Sequence, residues 1–261
     1  MGIINLTDDS FSRDGLRGDV QRAIAQGIQM VAEGADILDI GAESSRPGAK
    51  PIDGQRELER ILPVVQGLRD SGVPLSVDTV KPMVMQQALA EGVDMVNDIY
   101  ALRAEGALDV LVDNKAAICL MHMQGYPATM QRSPHYCDVV QEVVTFLALR
   151  AADAMKTGIN ADRIVVDPGF GFGKTPEHNL ELLRELRKLS ETGFPMLVGL
   201  SRKSVLGVIT GCDVTKLVHA SVAAAMLAVA RGANILRVHD VAATRDALAM
   251  WNAVETLQDD S

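Results

Sequence analysis

Polar or charged side chains lie at the end of almost every short apolar run in this chain. Asp39 and Arg237 even lie inside such runs, within 37–40 and 236–238. Charged side chains are rarely buried without a partner, so these positions are candidates for a functional site. The full set of such residues is Asn5, Asp39 with Glu43, Asp78, Asn97 with Asp98, His122, Asp167, Lys203, and Arg237 with His239.

This set has an accepting half and a cationic half. A carboxylate accepts two parallel N–H bonds, so the accepting half suits a flat heterocycle with adjacent N–H groups. Cationic side chains suit phosphate oxygens. A heterocycle joined to a phosphate or diphosphate satisfies both halves. The accepting half is Asp78, Asn97 and Asp167, and the cationic half is Lys203, Arg237 and His239 with Arg46 on a nearby loop.

A glycine-rich run extends from Asp167 to Lys174. Pro168 stands where the first glycine of a Walker A motif belongs, and Lys174 stands where a dinucleotide fingerprint requires its third glycine. Both nucleotide motifs therefore fail. The run is better interpreted as a strand end followed by a turn that a flat ligand approaches closely, with Phe172 as an apolar wall.

Other segments carry weaker signals. The segment 201–204, Ser-Arg-Lys-Ser, precedes an apolar helix and either binds an anion or caps the helix. The loops 7–18 and 42–54 are long and polar. This composition is typical both of lids that close over a site and of ordinary exposed loops. His122 lies between two methionines and is interpreted as a core histidine, and no histidine spacing indicates a zinc site.

Eight apolar runs alternate with helical patterns along the chain. The runs are continuously apolar, which is typical of parallel strands covered on both faces. The predicted strands are 2–6, 36–41, 75–77, 95–96, 117–121, 164–166, 196–199 and 235–238. The predicted helices are 19–33, 56–69, 82–90, 104–112, 139–156, 177–189, 215–230 and 242–257.

The same glycine punctuation precedes three of the strands. Gly34, Gly92 and Gly232 each stand where a helix should stop and the chain should turn into a strand. Repetition of one β/α unit predicts an α/β fold, a TIM-type (β/α)8 barrel that forms a single domain over 1–261. An open doubly wound sheet is the alternative.

Composition limits the partners. The net charge of −9 repels nucleic acid and anionic membranes, and the longest apolar run, 222–230, is too short to span a bilayer. Three dispersed cysteines, Cys119, Cys137 and Cys212, suit a reducing cytoplasm, and we expect a cytoplasmic protein without a signal peptide.

Taken together, the motifs resemble the dihydropteroate synthases, a family of pterin-binding barrels. They occur in the family's order and span almost the whole chain. Singly some are weak, but as an ordered set they are specific. The matching segments are 1–7, 9–12, 41–48, 76–79, 97–99, 121–125, 129–131, 167–174, 201–204 and 237–240.

The resemblance implies that the chain joins a hydroxymethyl-dihydropterin diphosphate to p-aminobenzoate with Mg2+, as a homodimer. It implies that the catalytic residues are Asp78, Asp167, Lys203, Arg237 and His239. The implied pterin-binding residues are Asp78, Asn97, Met121, Asp167, Gly199 and Lys203. The implied diphosphate-binding residues are Asn5, Arg46, Arg237 and His239, with Asn5 also at the metal. The implied aminobenzoate-binding residues are Phe11, Ser45, Pro47, Phe172, Lys203 and Ser204.

The chain departs from the family pattern at three positions. Asp8 stands where the family has Pro, Arg13 interrupts an acidic and glycine-containing sequence, and Ser45 replaces Thr. All three fall in the loops 7–18 and 42–54, so they bear on the response to sulfonamides and not on the pterin pocket.

Two alternatives to this function are a methyltetrahydrofolate:corrinoid methyltransferase, which needs no diphosphate site, and a pterin-binding protein without turnover.

Overall fold

The computed structural model describes residues 1–7, 15–16, 18–44, 49 and 51–259. Strands and helices alternate along these residues, as the sequence predicts. The strands are β1 (Gly2–Asn5), β2 (Leu38–Gly41), β3 (Leu75–Asp78), β4 (Met95–Asp98), β5 (Ala117–Met121), β6 (Ile164–Asp167), β7 (Leu197–Val198) and β8 (Ile235–Leu236). The α-helices are α1 (Val20–Ala32), α2 (Gly54–Leu68), α3 (Pro82–Ala90), α4 (Ala107–Val112), α5 (Val139–Lys156), α6 (Pro176–Arg184), α7 (Ser204–Thr210), α8 (Val218–Val229) and α9 (Val241–Asp259).

The strands form a closed parallel barrel. β1 to β6 pair in sequence order, and β7 pairs with β8. Two parallel bridges complete the ring, because Val166 pairs with Met196 and Gly2 pairs with Val238. The barrel class predicted from the sequence is confirmed, and the open-sheet alternative is wrong because a ring of pairings has no free edge. All carboxyl ends of the strands therefore meet on one face.

Apolar packing fills both sides of the barrel wall. A large buried cluster lies between strands and helices and includes Phe170, which is fully buried. A smaller cluster occupies the inside of the barrel toward the amino ends of the strands and contains Met95, Cys119, Val165 and Leu197. The polar ends of the same strands thus lie above an apolar plug.

The bounds of several helices differ from the predicted ones, and α6 and α4 show the physical reasons. The pattern over 177–189 forms α6 only to Arg184 and then a 3-10 helix, Leu186–Thr192. Leu186 and Leu189 are still buried, so a tighter turn satisfies the apolar spacing that predicted one long helix. The helix predicted over 104–112 begins at Ala107, because Gly106 adopts a left-handed conformation with φ of 83°.

The glycines that follow helices have the predicted backbone geometry. Gly34, Gly92 and Gly232 have φ of 93°, 90° and 96°, which side chains with a Cβ rarely adopt. Each of the three follows a helix and precedes a strand. Among the described residues, no helix is long and apolar enough to cross a membrane.

Replacement of Gly92 isolates the cost of this backbone conformation, because a Cβ added there meets no atom within 4 Å. We expect Gly92→Ala to lower the free energy of unfolding by about 1–2 kcal/mol through left-handed strain alone. Urea denaturation measures this. The control is Gln86→Ala, an exposed site in α3. Equal stability of both variants would contradict the assigned role of the glycine.

Candidate active site

A cavity of about 580 Å³ opens at the carboxyl ends of the strands. Residues from the two halves of the sequence-predicted set lie together along its wall. The predicted site residues that line it are Asn5, Asp78, Asn97, Met121, Asp167, Phe172, Gly199, Lys203, Ser204, Arg237 and His239.

Arg237 joins the two halves of the cavity. Its Nε donates to Asp39 Oδ2 at 2.6 Å, and its Nη2 donates to Asp78 Oδ2 at 2.9 Å. Asn97 Nδ2 donates to the same Asp39 oxygen at 3.2 Å. Asp39 is fully buried, so its charge is compensated by the guanidinium and not by water.

The electrostatics of this group are set by burial and by the crowding of carboxylates. Burial raises the pKa of Asp78 to about 7, against the attraction of Arg237 and with further raising by Asp39. Burial also lowers the pKa of Arg237, but the attraction of the Asp39 and Asp78 carboxylates raises it by more. The pKa of Arg237 therefore lies above its ordinary value. The guanidinium is therefore permanently charged, whereas Asp78 titrates near neutral pH.

Asp167 begins the glycine-rich run and holds its first turn. Its Oδ1 accepts the backbone N–H of Gly169 at 2.7 Å. A Cβ on Gly169 would lie 1.9 Å from the carbonyl oxygen of His122, so the run packs too closely on β5 for any other residue. Burial raises the pKa of Asp167, while the Gly169 N–H and Lys203 lower it.

Lys203 enters the cavity from the start of α7. Its ammonium donates to the carbonyl of Phe170 and lies 4.3 Å from the centroid of the Phe172 ring, a cation–π contact. Burial lowers the pKa of Lys203 to about 8, although Asp167 raises it. Lys203 and Phe172 thus form one wall of the cavity.

A second lysine holds the glycine-rich run from behind. Lys174 Nζ lies 2.9 Å from His122 Nδ1, 2.9 Å from the Gly169 carbonyl and 3.1 Å from the Phe172 carbonyl. Burial lowers the pKa of His122 to about 2, so the neutral ring accepts from the lysine. Sequence reasoning assigned Lys174 no role, although a lysine at the end of a buried glycine run was a signal.

Three residues of the polar set do not line the cavity. Asp98 follows Asn97 and points to the opposite face, because side chains alternate along a strand. It accepts the backbone N–H groups of Tyr100 and Leu102. His122 is a buried structural histidine, as expected, and Asp39 lies beneath the cavity floor.

Four predicted site residues lie outside the described residues, as do all three departures from the family pattern, since Ser45 belongs to both sets. The base of the second loop is described: Glu43 and the buried Glu57 both pair with Lys81, and Glu43 accepts the backbone N–H of Ile52 at 3.1 Å. These contacts fix the two ends of the loop. The residues outside are Phe11, Ser45, Arg46 and Pro47, with Asp8 and Arg13.

The cavity also contains residues that the sequence did not indicate. Ser and Thr occur throughout the chain, and an isolated Gln or Asn has no motif, so no signal separated them from ordinary surface residues. Several of them, such as Thr7, Gln131 and Ser201, lay in segments noted in the sequence, 1–7, 129–131 and 201–204, but nothing in those segments singled them out. The additional polar lining residues are Thr7, Ser44, Gln131, Lys174, Thr175, Asn179 and Ser201.

The chain is similar to known proteins over almost its whole length. Residues 1–239 match the pterin binding enzyme family. Dihydropteroate synthase of Neisseria meningitidis serogroup B is 51% identical, over 97% of this chain and 92% of the relative.

Two structures superpose closely on the fold. Yersinia pestis dihydropteroate synthase in a sulfonamide drug complex has a TM-score of 0.96 and 40% identity, covering 98% of this chain and 94% of that one. Burkholderia cenocepacia dihydropteroate synthase complexed with 7,8-dihydropteroate has a TM-score of 0.91 and 47% identity, covering 100% and 92%. The resemblance inferred from the sequence is confirmed: this chain belongs to the pterin binding enzyme family.

Proposed function

We propose that this chain is a dihydropteroate synthase, a transferase that condenses 6-hydroxymethyl-7,8-dihydropterin diphosphate with p-aminobenzoate to give 7,8-dihydropteroate and diphosphate. The observation that carries the proposal is one cavity in which Arg237 pairs with the carboxylates of Asp39 and Asp78 and which Lys203 and His239 also line. Relatives that bear this name are 40–51% identical over 97% of the chain. We infer one domain over 1–261 and a location in the cytoplasm.

The accepting half binds the pterin. Asp78, Asn97 and Asp167 offer oxygens to the N–H groups along one edge of the ring, and the buried position of Asp167 makes such bonds strong. Met121 provides apolar contact, and Gly199 leaves the ring room at the end of β7. The same carboxylates stabilise positive charge that develops on the pterin as its leaving group departs.

The cationic half binds the diphosphate. The bond between the exocyclic CH2 carbon and the bridging oxygen breaks, and the diphosphate leaves with the electron pair. Arg46, Arg237 and His239 stabilise the charge on the departing oxygens. The neutral arylamine then forms the new C–N bond and releases its proton to water. No nucleophilic side chain is required.

Asn5 is the residue that would hold magnesium. Its amide oxygen lines the cavity and is a ligand type that this ion accepts. An ion there would be held mainly by substrate phosphates and water, because magnesium gives up its water ligands reluctantly. Bound there, magnesium would neutralise charge on the diphosphate.

The aminobenzoate binds at the outer wall. The Phe172 ring and the Lys203 ammonium lie side by side there, so they offer an apolar face and a cation to a benzoate. Ser204, at the first turn of α7, adds an exposed hydroxyl. Loop residues Phe11, Ser45 and Pro47 complete this subsite in our proposal, and a sulfonamide competes for it.

The cationic wall separates this function from its alternatives. A corrinoid methyltransferase needs no diphosphate site and a pterin carrier has no leaving group to stabilise, so neither needs Lys203, Arg237 and His239 in one cavity. Calorimetric titration with diphosphate and Mg2+ discriminates among them. Tight, Mg2+-dependent binding favours the synthase over both alternatives.

We propose a homodimer through α8 and α9, which pack on each other. Small residues of the segment 221–230 pack against the barrel, with Ala224, Ala225 and Ala228 buried. Larger apolar residues of the two helices remain exposed, and such exposed patches mark protein–protein contacts. The exposed residues are Leu227, Met250 and Val254.

Pterin binding should depend on the charge of Asp78. Because the pKa of Asp78 is raised to about 7, the affinity for a phosphate-free pterin analogue should fall as pH falls through that value. Asp78→Asn should weaken binding by about 1.5–3 kcal/mol and abolish this pH dependence, and Asp167→Asn should weaken binding similarly. Isothermal calorimetry across pH measures both. The surface variant Asp109→Asn is the control, and unchanged affinity in the two pocket variants would remove them from the site.

The reaction itself is the next test. With the pterin diphosphate, p-aminobenzoate and Mg2+, the protein should release diphosphate and form dihydropteroate. Arg237→Lys keeps a positive charge but loses the fork that reaches both Asp39 and Asp78, so we expect at least about a tenfold loss of kcat/KM. Lys203→Ala should impair both substrates, whereas the surface variant Arg184→Ala should not. A folded protein that releases no diphosphate contradicts the proposal.

Sedimentation tests the dimer. At micromolar concentration the species should have twice the chain mass of 28.0 kDa. Leu227→Glu places a charge on the proposed interface and should shift the population toward monomer. Ile28→Glu, on the exposed face of α1, is the matched control and should not. A monomer in the unmodified protein would refute the interface.

A further inference from the structure

Side-chain contacts join the loops after β7 and β8. The two strands pair in parallel with a constant offset of 38 residues between partners. The same offset continued past the strand ends sets Ser201 opposite His239 and Arg202 opposite Asp240. Both pairs are in hydrogen-bond contact. The pairing register of β7 and β8 therefore continues beyond the strand ends, as side-chain contacts between the two loops.

Arg202 fixes the position of Ser201. Its guanidinium binds Asp240 through two bonds, of 3.0 Å and 2.5 Å, and its backbone N–H donates to Ser221 Oγ at 2.9 Å. Arg202 has φ of 56°, which is a left-handed conformation. This conformation is unfavourable for any residue that has a Cβ atom. The contacts that hold this conformation also fix the direction of the preceding serine.

The hydroxyl of Ser201 has one proton and two lone pairs. The backbone N–H of His239 donates to its oxygen at 3.2 Å, and His239 Nδ1 lies 2.9 Å from the same oxygen. Ser201 is buried, and within the described part of the chain Nδ1 is the acceptor in reach of its proton. A hydroxyl that donates to Nδ1 keeps that nitrogen unprotonated. A neutral imidazole then carries its own proton on Nε2.

We propose that Ser201 is a positioning residue that holds His239 as the Nε2–H tautomer, so that Nε2 donates to an oxygen of the diphosphate. The inference rests on the proposed function, in which His239 faces the leaving group. An Nε2 that carries a proton cannot ligate a metal ion or accept a proton. The contact with Ser201 thus assigns His239 the role of a hydrogen-bond donor through Nε2.

Nitrogen NMR reads the tautomer without any turnover. The chain has five histidines, and the spectrum of His239→Gln identifies the resonances of residue 239 by their loss. In the unmodified protein, at a pH where the ring is neutral, Nε2 should be the protonated nitrogen and Nδ1 the unprotonated one. A proton on Nδ1 overturns the inference.

Binding measurements test the effect on the ligand. Ser201→Ala should weaken the affinity for inorganic diphosphate with Mg2+ by about three- to tenfold, since one orienting hydrogen bond is lost. The affinity for a phosphate-free pterin analogue should not change. Ser201→Thr keeps the hydroxyl and should restore diphosphate affinity. In a His239→Gln background, Ser201→Ala should have no further effect.

Failure of the inference differs from failure of the proposed function. If the unmodified protein binds no diphosphate, the synthase proposal is wrong, and the NMR experiment still decides the tautomer. If the unmodified protein binds diphosphate and Ser201→Ala binds it equally well, Ser201 does not position His239. A misfolded Ser201→Ala leaves the NMR spectrum of the unmodified protein as the deciding measurement.

Discussion

The guanidinium of Arg237 between Asp39 and Asp78 is the interaction on which the rest of the site depends. Asp39 is fully buried inside the barrel, and an unpaired carboxylate there would cost several kcal/mol. The pairing fixes Arg237 at the boundary between the heterocycle half and the diphosphate half of the cavity. One buried charge thus explains both the stability of the floor and the position of the leaving-group site.

The glycine-rich run depends on a different constraint, the closeness of its backbone to β5. With no room for a Cβ at Gly169, the run lies close to β5, and hydrogen bonds to its carbonyls hold it there together with the buried side chain of Phe170. Lys174 binds two of these carbonyls from the buried side, and Lys203 binds a third from the cavity side. The Phe172 ring is therefore placed by its backbone, and Lys203 is placed by the same loop.

The sequence predicted the barrel and most of the site because both depend on patterns within short stretches of the chain. Continuous apolar runs with polar ends, and glycines such as Gly92 before them, specify strands and turns that short-range physics fixes. The predicted family and fold class are confirmed. What local patterns did not indicate were contacts between distant segments. Asp98 and Asn97 are adjacent in sequence, and only their order along β4 decides which enters the cavity.

The partners of Lys174 and Ser201 were likewise hidden, since each pair joins segments that follow neighbouring strands and not residues at a recognisable spacing along the chain. His122 and Lys174 are brought together by β5 and β6, and Ser201 and His239 by β7 and β8. A sequence shows that such polar residues exist but not which one faces which. The closed barrel supplies that information.

The most direct test of this account is a crystal structure of the protein with the pterin diphosphate and Mg2+, with no aminobenzoate present. The account predicts the pterin ring against Asp78, Asn97 and Asp167, and the diphosphate against Arg237 and His239. A diphosphate bound away from Arg237, or a pterin ring outside the three acceptors, would contradict the claim that Arg237 joins two halves of one site.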